Sequence, residues 1–291
     1  MSHTPVTRRS AGDFPILPRA PLRLLPLLLL LATLPACAGS LPPGSGPGAG
    51  GALRVVSYNI RHGQGMDGRV DLARTARVLR ELSPDLVALQ EVDQGVERSG
   101  GVDQAAELGR LLGLEHAFGA FMPYQGGAYG LALLSRHPVA RSWTVGLPAG
   151  HEPRVALAAA VVLPGGDTLV AIGVHFDWVE DDGFRFAQAR TLAAVLDTLS
   201  HPYVLLGDLN DVPGSRTLEL FHARAREATK PDGGRLTFPS GKPVKEIDHV
   251  FAAPRDRWRI REVRVAAEPL ASDHRPVLAV LHGPAPHGGR R

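Results

Sequence analysis

The chain has 291 residues, 44% of them hydrophobic, with 12 histidines and a single cysteine. One cysteine cannot close an internal disulfide, so a disulfide-stapled scaffold is excluded. The formal net charge is +3, but residues 1–36 hold four arginines against one aspartate. Without them 28 basic and 28 acidic residues remain, which gives no charge argument for a nucleic-acid partner.

Arg8, Arg9, Arg19 and Arg23 precede an apolar run from Leu24 to Leu34, interrupted by Pro26 and Thr33. The run is too short to span a bilayer and fits the apolar region of an export signal. Leu34-Pro35-Ala36-Cys37 resembles a bacterial lipoprotein cleavage box, with Cys37 as the lipidated residue. A plain secretory signal is the alternative. Residues 1–36 are thus read as the signal, 37–52, rich in Gly, Pro and Ser, as a flexible tether, and 53–282 as one domain. Residues 283–291 read as a frayed tail. The expected location is outside the cytoplasm, in a bacterial cell envelope, lipid-anchored or secreted.

Leu53 to Ile60 is the first predicted strand, with Asn59 near its end, and Arg61-His62-Gly63-Gln64-Gly65 is a glycine-rich loop. Val70, Leu72, Ala73, Ala76, Val78, Leu79 and Leu82 recur at helical spacing, and Pro84 stops the helix. A second strand, Leu86 to Gln90, places Glu91 at its end. Asp103 to Leu112 reads as an amphipathic helix, Phe118 to Met122 as a short strand, and Tyr129 to Leu134 as a strand closed by the turn Ser135–Pro138. Tyr129 either faces a site or packs as an edge residue.

Arg154 to Leu163 and Thr168 to His175 form a predicted hairpin, and Phe184 to Leu199 a helix. Tyr203 to Asp208 is apolar enough to be buried on both faces. Gly207 is expected to turn the backbone tightly, so that Asp208 and Asn210 emerge at the strand end. Ser215 to His222 is a short helix. Asp248 lies inside an apolar strand, where an unpaired carboxylate is costly and requires a partner. Arg257, Arg259, Arg261 and Arg264 form a solvated strand face, with Trp258 and Ile260 turned inward. The loop Ala271 to Pro276 carries Asp273 and His274 into the last strand and supplies the partner of Asp248.

Taken singly, each strand-end residue is weak: Asp and Asn are ordinary turn formers, and one histidine is more often structural. Together, Asn59, Glu91, His175, Asp208, Asn210, Asp248, Asp273 and His274 form a set rich in oxygen ligands, with two imidazoles and no thiol. Hard oxygens favour Mg²⁺, Mn²⁺ or Ca²⁺ over zinc. A divalent cation with imidazole and amide donors is what hydrolysis of a phosphoester requires.

The motifs Ser57-Tyr58-Asn59, Gln90-Glu91, Leu134-Ser135-Arg136-His137-Pro138, His175, Gly207-Asp208-Leu209-Asn210, Ile247-Asp248-His249 and Ser272-Asp273-His274-Arg275-Pro276 carry a resemblance. In order and spacing the chain resembles the endonuclease/exonuclease/phosphatase superfamily of metal-dependent phosphoesterases. That group includes deoxyribonuclease I, abasic-site endonucleases, neutral sphingomyelinases and inositol polyphosphate 5-phosphatases. The resemblance implies an α/β four-layer sandwich, two packed mixed β-sheets flanked by helices.

By the same resemblance, Glu91 is the main Mg²⁺ ligand with Asn59 beside it, and Asp208 orients or deprotonates the attacking water. Asn210 holds the phosphate, Asp248 fixes the tautomer of His274, Asp273 sits near the metal, and His175 donates to a phosphate oxygen. Arg154 approaches the substrate. The chain departs from the deoxyribonuclease branch in one respect: Tyr129 to Leu134 offers no carboxylate to pair with His175. The expected partners are a phosphoester of unassigned class and, through the lipid anchor, a membrane; the protein is expected to be a monomer. A secreted nuclease, a sphingomyelinase- or phospholipase-C-like enzyme and an inactive binding module are the alternatives. The intact residue set argues against the last.

Overall fold

Alternating side chains set the layers of this domain. In β1 (Ala52–Asn59), Val55 and Val56 are both fully buried although successive strand residues point to opposite faces. A strand buried on both sides needs cover on both sides. The computed structural model, which describes residues 51–283, shows what that cover is. The expected signal, Cys37, nearly all of the tether and nearly all of the tail lie outside the described residues.

The elements follow in the order α1 (Leu72–Leu82), β2 (Leu86–Gln94), α2 (Gln104–Leu112), β3 (Glu115–Tyr124), β4 (Gly127–Ser135), β5 (Val139–Gly146), β6 (Val155–Val162) and β7 (Thr168–His175). Then come α3 (Gly183–Leu196), β8 (Tyr203–Asp208), α4 (Arg216–His222), β9 (Arg226–Glu227), β10 (Asp248–Ala253), β11 (Arg259–Val265) and β12 (Val277–His282). They build two six-stranded sheets, ordered β11-β12-β1-β2-β4-β3 and β5-β6-β7-β8-β10-β9. Each is mixed, with one parallel pair, β1 with β2 and β7 with β8, among antiparallel neighbours.

Val55, Ala88, Leu131 and Leu133 of the first sheet meet Leu157, Ala171, Leu206 and Val250 of the second in one inner core. The outer faces carry Val56, Val87 and Leu89 under α1 and α2, and Ile172, Leu205 and Phe251 under α3 and α4. Helix, sheet, sheet, helix is the expected four-layer sandwich. Each fully buried Val, Leu or Phe side chain stabilises it by about 1.5–3 kcal/mol. Among the described residues, three of the four α-helix starts are capped by side chains: Asp71, Asp103 and Ser215 accept from the amides of Arg74, Ala106 and Leu218. Among the described residues no helix is long and apolar enough to cross a membrane.

Three local expectations change. β5 was not anticipated from the sequence: it is an edge strand whose Val139, Trp143 and Val145 are only half-buried, so its apolar alternation is faint. β2 does not end before Glu91 but continues to Gln94 through a register shift between Leu89 and Val92. Gly207 lies inside β8, where a Cβ would collide with the Val174 carbonyl oxygen of β7. Glycine there permits close strand approach, and the chain turns only at Asn210, with φ 51°.

Candidate active site

The parallel pair of each sheet ends at the same rim of the sandwich, and the site forms across the seam between them. In the second sheet, register aligns His175 and Asp248 on either side of Asp208. In the first sheet, Asn59 closes β1 and Glu91 sits on the bulge of β2. Both sheets contribute to one point, the Oδ2 atom of Asp208. Asn59 Nδ2 is 3.2 Å from it, His274 Nε2 3.5 Å and His175 Nε2 3.6 Å.

Asn59 is fully buried and bridges two carboxylates, its Nδ2 also donating to Glu91 Oε1 at 3.0 Å. Its Oδ1 accepts from the Arg61 amide. Glu91 has a left-handed backbone, φ 59°, which directs the carboxylate into the cleft. Asp208 Oδ1 accepts from the Asn210 amide at 2.9 Å, and Asn210 Nδ2 donates to the Phe176 carbonyl at 3.0 Å. These bonds lock the segment that follows β8.

His274 Nδ1 meets Asp248 Oδ2 at 3.0 Å, the partnership that a carboxylate inside β10 requires. Burial works against charge on this imidazole, but Asp248 and Asp208 overcome it and hold the ring well above its ordinary pKa. The Asp208 carboxyl is pushed up, chiefly by burial, against the opposing pull of His274. His175 is pushed well below its ordinary value by burial and then by the Arg154 guanidinium.

The sequence named these residues but not what holds them. Ser272 Oγ donates to the Asn59 carbonyl at 2.7 Å and accepts from the His274 amide, tying the His274 loop to the end of β1. Ser240 braces the same loop through the Ser272 carbonyl, and the Phe238 ring packs 4.8 Å from the His274 ring. Asp273 lines the cleft, with Oδ2 3.8 Å from Arg61 Nε.

Tyr129 does both things foreseen for it: it lines the cleft and packs edge-on against Phe121 at 4.9 Å. Burial and the nearby Glu91 keep its hydroxyl protonated. Arg154 also lines the cleft, but it is 3% exposed, paired with Glu152 at 2.8 Å and set against His175. Trp178, Glu180, Lys245 and Val212 complete the walls of a cleft of about 600 Å³. The exposed Trp178 follows His175 by three residues, and its one sequence signal is an aromatic in an otherwise acidic loop.

A hard divalent cation fits this donor set. The carboxylates of Glu91 and Asp208 converge on one amide, no thiol occurs among the described residues, and the buried Asp208 lacks a full counter-charge. Ligand atoms of Asp208, Asp248 and His274 also lie within 4.8 Å of one another. The Asp248–His274 hydrogen bond already occupies part of that group, so Glu91 and Asp208 are the better candidates to hold an ion, while Asn59, expected as a ligand, instead turns its Nδ2 donor to both carboxylates and its Oδ1 to the Arg61 amide.

The model of the endonuclease/exonuclease/phosphatase family matches residues 56–274, a span from β1 to His274. The chain belongs to that family. Its members are divalent-metal-dependent phosphoric ester hydrolases, and this chain is accordingly a metal-dependent phosphoesterase. The uncharacterised protein YbhP of Escherichia coli (strain K12) is 26% identical over 256 residues, covering 79% of this chain and 96% of YbhP. The crystal structure of an endonuclease/exonuclease/phosphatase from Beutenbergia cavernae is 27% identical with a TM-score of 0.62, covering 81% of this chain and 73% of that one. A mannosyl-6-phosphatase from Bacteroides thetaiotaomicron shares the fold, with 17% identity and a TM-score of 0.64 over 79% of this chain and 99% of its own.

Proposed function

We propose that this family member is an exported, membrane-tethered enzyme that hydrolyses a phosphodiester or phosphomonoester by in-line attack of water. The observation that supports the hydrolysis is the convergence of Asn59, His175 and His274, from three separate parts of the chain, on Asp208 Oδ2, while export and tethering rest on the reading of residues 1–37 of the sequence. Glu91, with Asn59 and Asp208 beside it and Asp273 nearby, would hold Mg²⁺, with Mn²⁺ or Ca²⁺ as alternatives. Such an ion supplies charge neutralisation for phosphate and leaving-group oxygens.

The chain's own groups divide the remaining work. Asp208, its basicity raised by burial, orients the water and takes its proton. His274, kept charged by Asp248, stabilises the phosphoryl oxygens and can return a proton to the leaving group. Asn210 and His175 donate to non-bridging oxygens. The cleft is larger than a phosphate needs, so Trp178, Val212 and Lys245 contact the organic part of the substrate. The balanced charge of residues 37–291 disfavours a nuclease that tracks a long polyanion.

The test is hydrolysis of an aryl phosphodiester by D208A and H274A. Each is expected to lose about 10²–10⁴-fold in kcat with an unchanged circular dichroism spectrum. Undiminished turnover in either variant would overturn the assignment. A panel of plasmid DNA, RNA, sphingomyelin, inositol phosphates and aryl phosphates, each with Mg²⁺ and with EDTA, identifies the substrate class.

A further inference from the structure

We propose that Arg154 is a positioning residue for His175, and that it fixes the ring hydrogen on Nε2, the nitrogen turned toward Asp208. The inference rests on reading the cleft as the hydrolytic site, and it assigns an arginine to a place where the sequence offered no partner. Arg154 Nη1 lies 3.4 Å from His175 Nδ1, and His175 Nε2 lies 3.6 Å from Asp208 Oδ2. A guanidinium carries five N–H donors and no acceptor. An Nδ1–H would therefore face another N–H, whereas an unprotonated Nδ1 accepts from Arg154. The hydrogen of the neutral ring then sits on Nε2.

The guanidinium is held in place independently of His175. Arg154 Nη2 donates to Glu152 Oε2 at 2.8 Å, and the Phe121 ring lies 4.9 Å below the guanidinium carbon. Its backbone carbonyl accepts from the Leu147 amide, just ahead of β6. Arg154 is 3% and His175 5% exposed, so water does not compete freely for either partner.

The consequence is a division of labour. His175 presents an N–H, not a lone pair, to whatever lies beside Asp208. It serves as a hydrogen-bond donor to a phosphate oxygen, while proton removal from water falls to Asp208. A carboxylate in place of Arg154 would do the reverse, accepting from Nδ1–H and leaving Nε2 as an acceptor.

The experiment is ¹⁵N NMR of the imidazole rings in the full chain with Mg²⁺ at neutral pH, the His175 signals being those lost in H175Q. The expected signature is an unprotonated Nδ1 and a protonated Nε2. In R154M that single tautomer gives way to a mixture and kcat falls about 10-fold or more, with R154K restoring part of both. A hydrogen on Nδ1, or on both nitrogens, in the unsubstituted protein would overturn the proposal, even if R154M fails to fold. So would an R154M variant with its tautomer and kcat unchanged. The expected tautomer in a protein that hydrolyses no phosphoester would instead count against the proposed function alone.

Discussion

Glu91 carries the cost of the site in its own backbone. A non-glycine residue at φ 59° is disfavoured by an amount of order 1–3 kcal/mol. The bulge keeps it there, between Leu89 and Val92, both fully buried on β2. Two carboxylates, Glu91 and Asp208, then share one amide hydrogen-bond donor, Asn59. Such an arrangement repels itself until a cation arrives. E91Q keeps the size of the side chain and removes one of the charges. It is therefore expected to melt at or above the temperature of the metal-free unsubstituted protein, while its Mg²⁺ affinity drops at least about 10-fold, or 1.4 kcal/mol. Thermal melts across a Mg²⁺ titration measure both. An E91Q protein whose Tm rises with Mg²⁺ as much as the parent's would remove Glu91 from the ion site.

At the scale of elements, β10 serves two environments from adjacent residues. Asp248, fully buried, reaches His274 at the cleft, and His249, on the opposite face, reaches Glu227 Oε1 at 2.8 Å and the Asp211 carbonyl at 3.1 Å. Glu227 also meets His222 at 2.7 Å, and Lys230 pairs with Glu246 at 2.9 Å. Burial opposes charge on Glu227, but His249, His222 and Lys230 outweigh it and hold the carboxyl at about 2, below the ordinary 4.5. A lowered carboxyl stabilises the fold fully above about pH 4.5, and that contribution is lost as pH falls toward 2. E227Q is expected to cost about 3 kcal/mol at neutral pH, because the side chain is 11% exposed and its removal strands buried partners. Urea titrations should show the gap between the two proteins closing from pH 4.5 to 2. A gap constant across that window would mean that Glu227 contributes by packing alone.

This network also marks a boundary of what the sequence reveals. Apolar runs that end in a polar residue made Asn59, His175 and Asp208 legible, because hydrophobic periodicity reports burial and the residue that breaks it is conspicuous. Asp248 was legible for the opposite reason, a lone carboxylate inside a buried strand. Pairings such as Lys230 with Glu246 join separate segments and leave no local pattern. The bulge at Glu91 is invisible for a related reason: the apolar run resumes at Val92 and reads as a new segment rather than a continued strand. β5, half-buried at a sheet edge, has too little alternation to be read.

At the scale of the whole molecule, the site exists only where two sheets meet. Asn59, Glu91 and the His274 loop come with one sheet, and His175, Asp208 and Asp248 with the other. Neither half holds the site alone, so the sandwich interface and the cleft form together. The proposed anchoring would act on a different part of the chain. Cys37 precedes β1 in sequence, and among the described residues the cleft is lined from Glu91 onward, so the proposed attachment and the chemistry are expected to be separable. C37S is expected to move the protein from the membrane fraction to the soluble extracytoplasmic fraction while kcat/KM on a soluble aryl phosphodiester stays within about 2-fold, since every candidate site residue lies C-terminal to β1's start in the sequence. Lipid attachment is a two-dimensional constraint that raises the local concentration of the enzyme near membrane-borne esters. If the substrate is itself in a membrane, C37S should lose turnover on vesicles and keep it on the dissolved ester. Retention of C37S in washed membranes would reject the lipid anchor, and a soluble parent protein would point to a plain secretory signal.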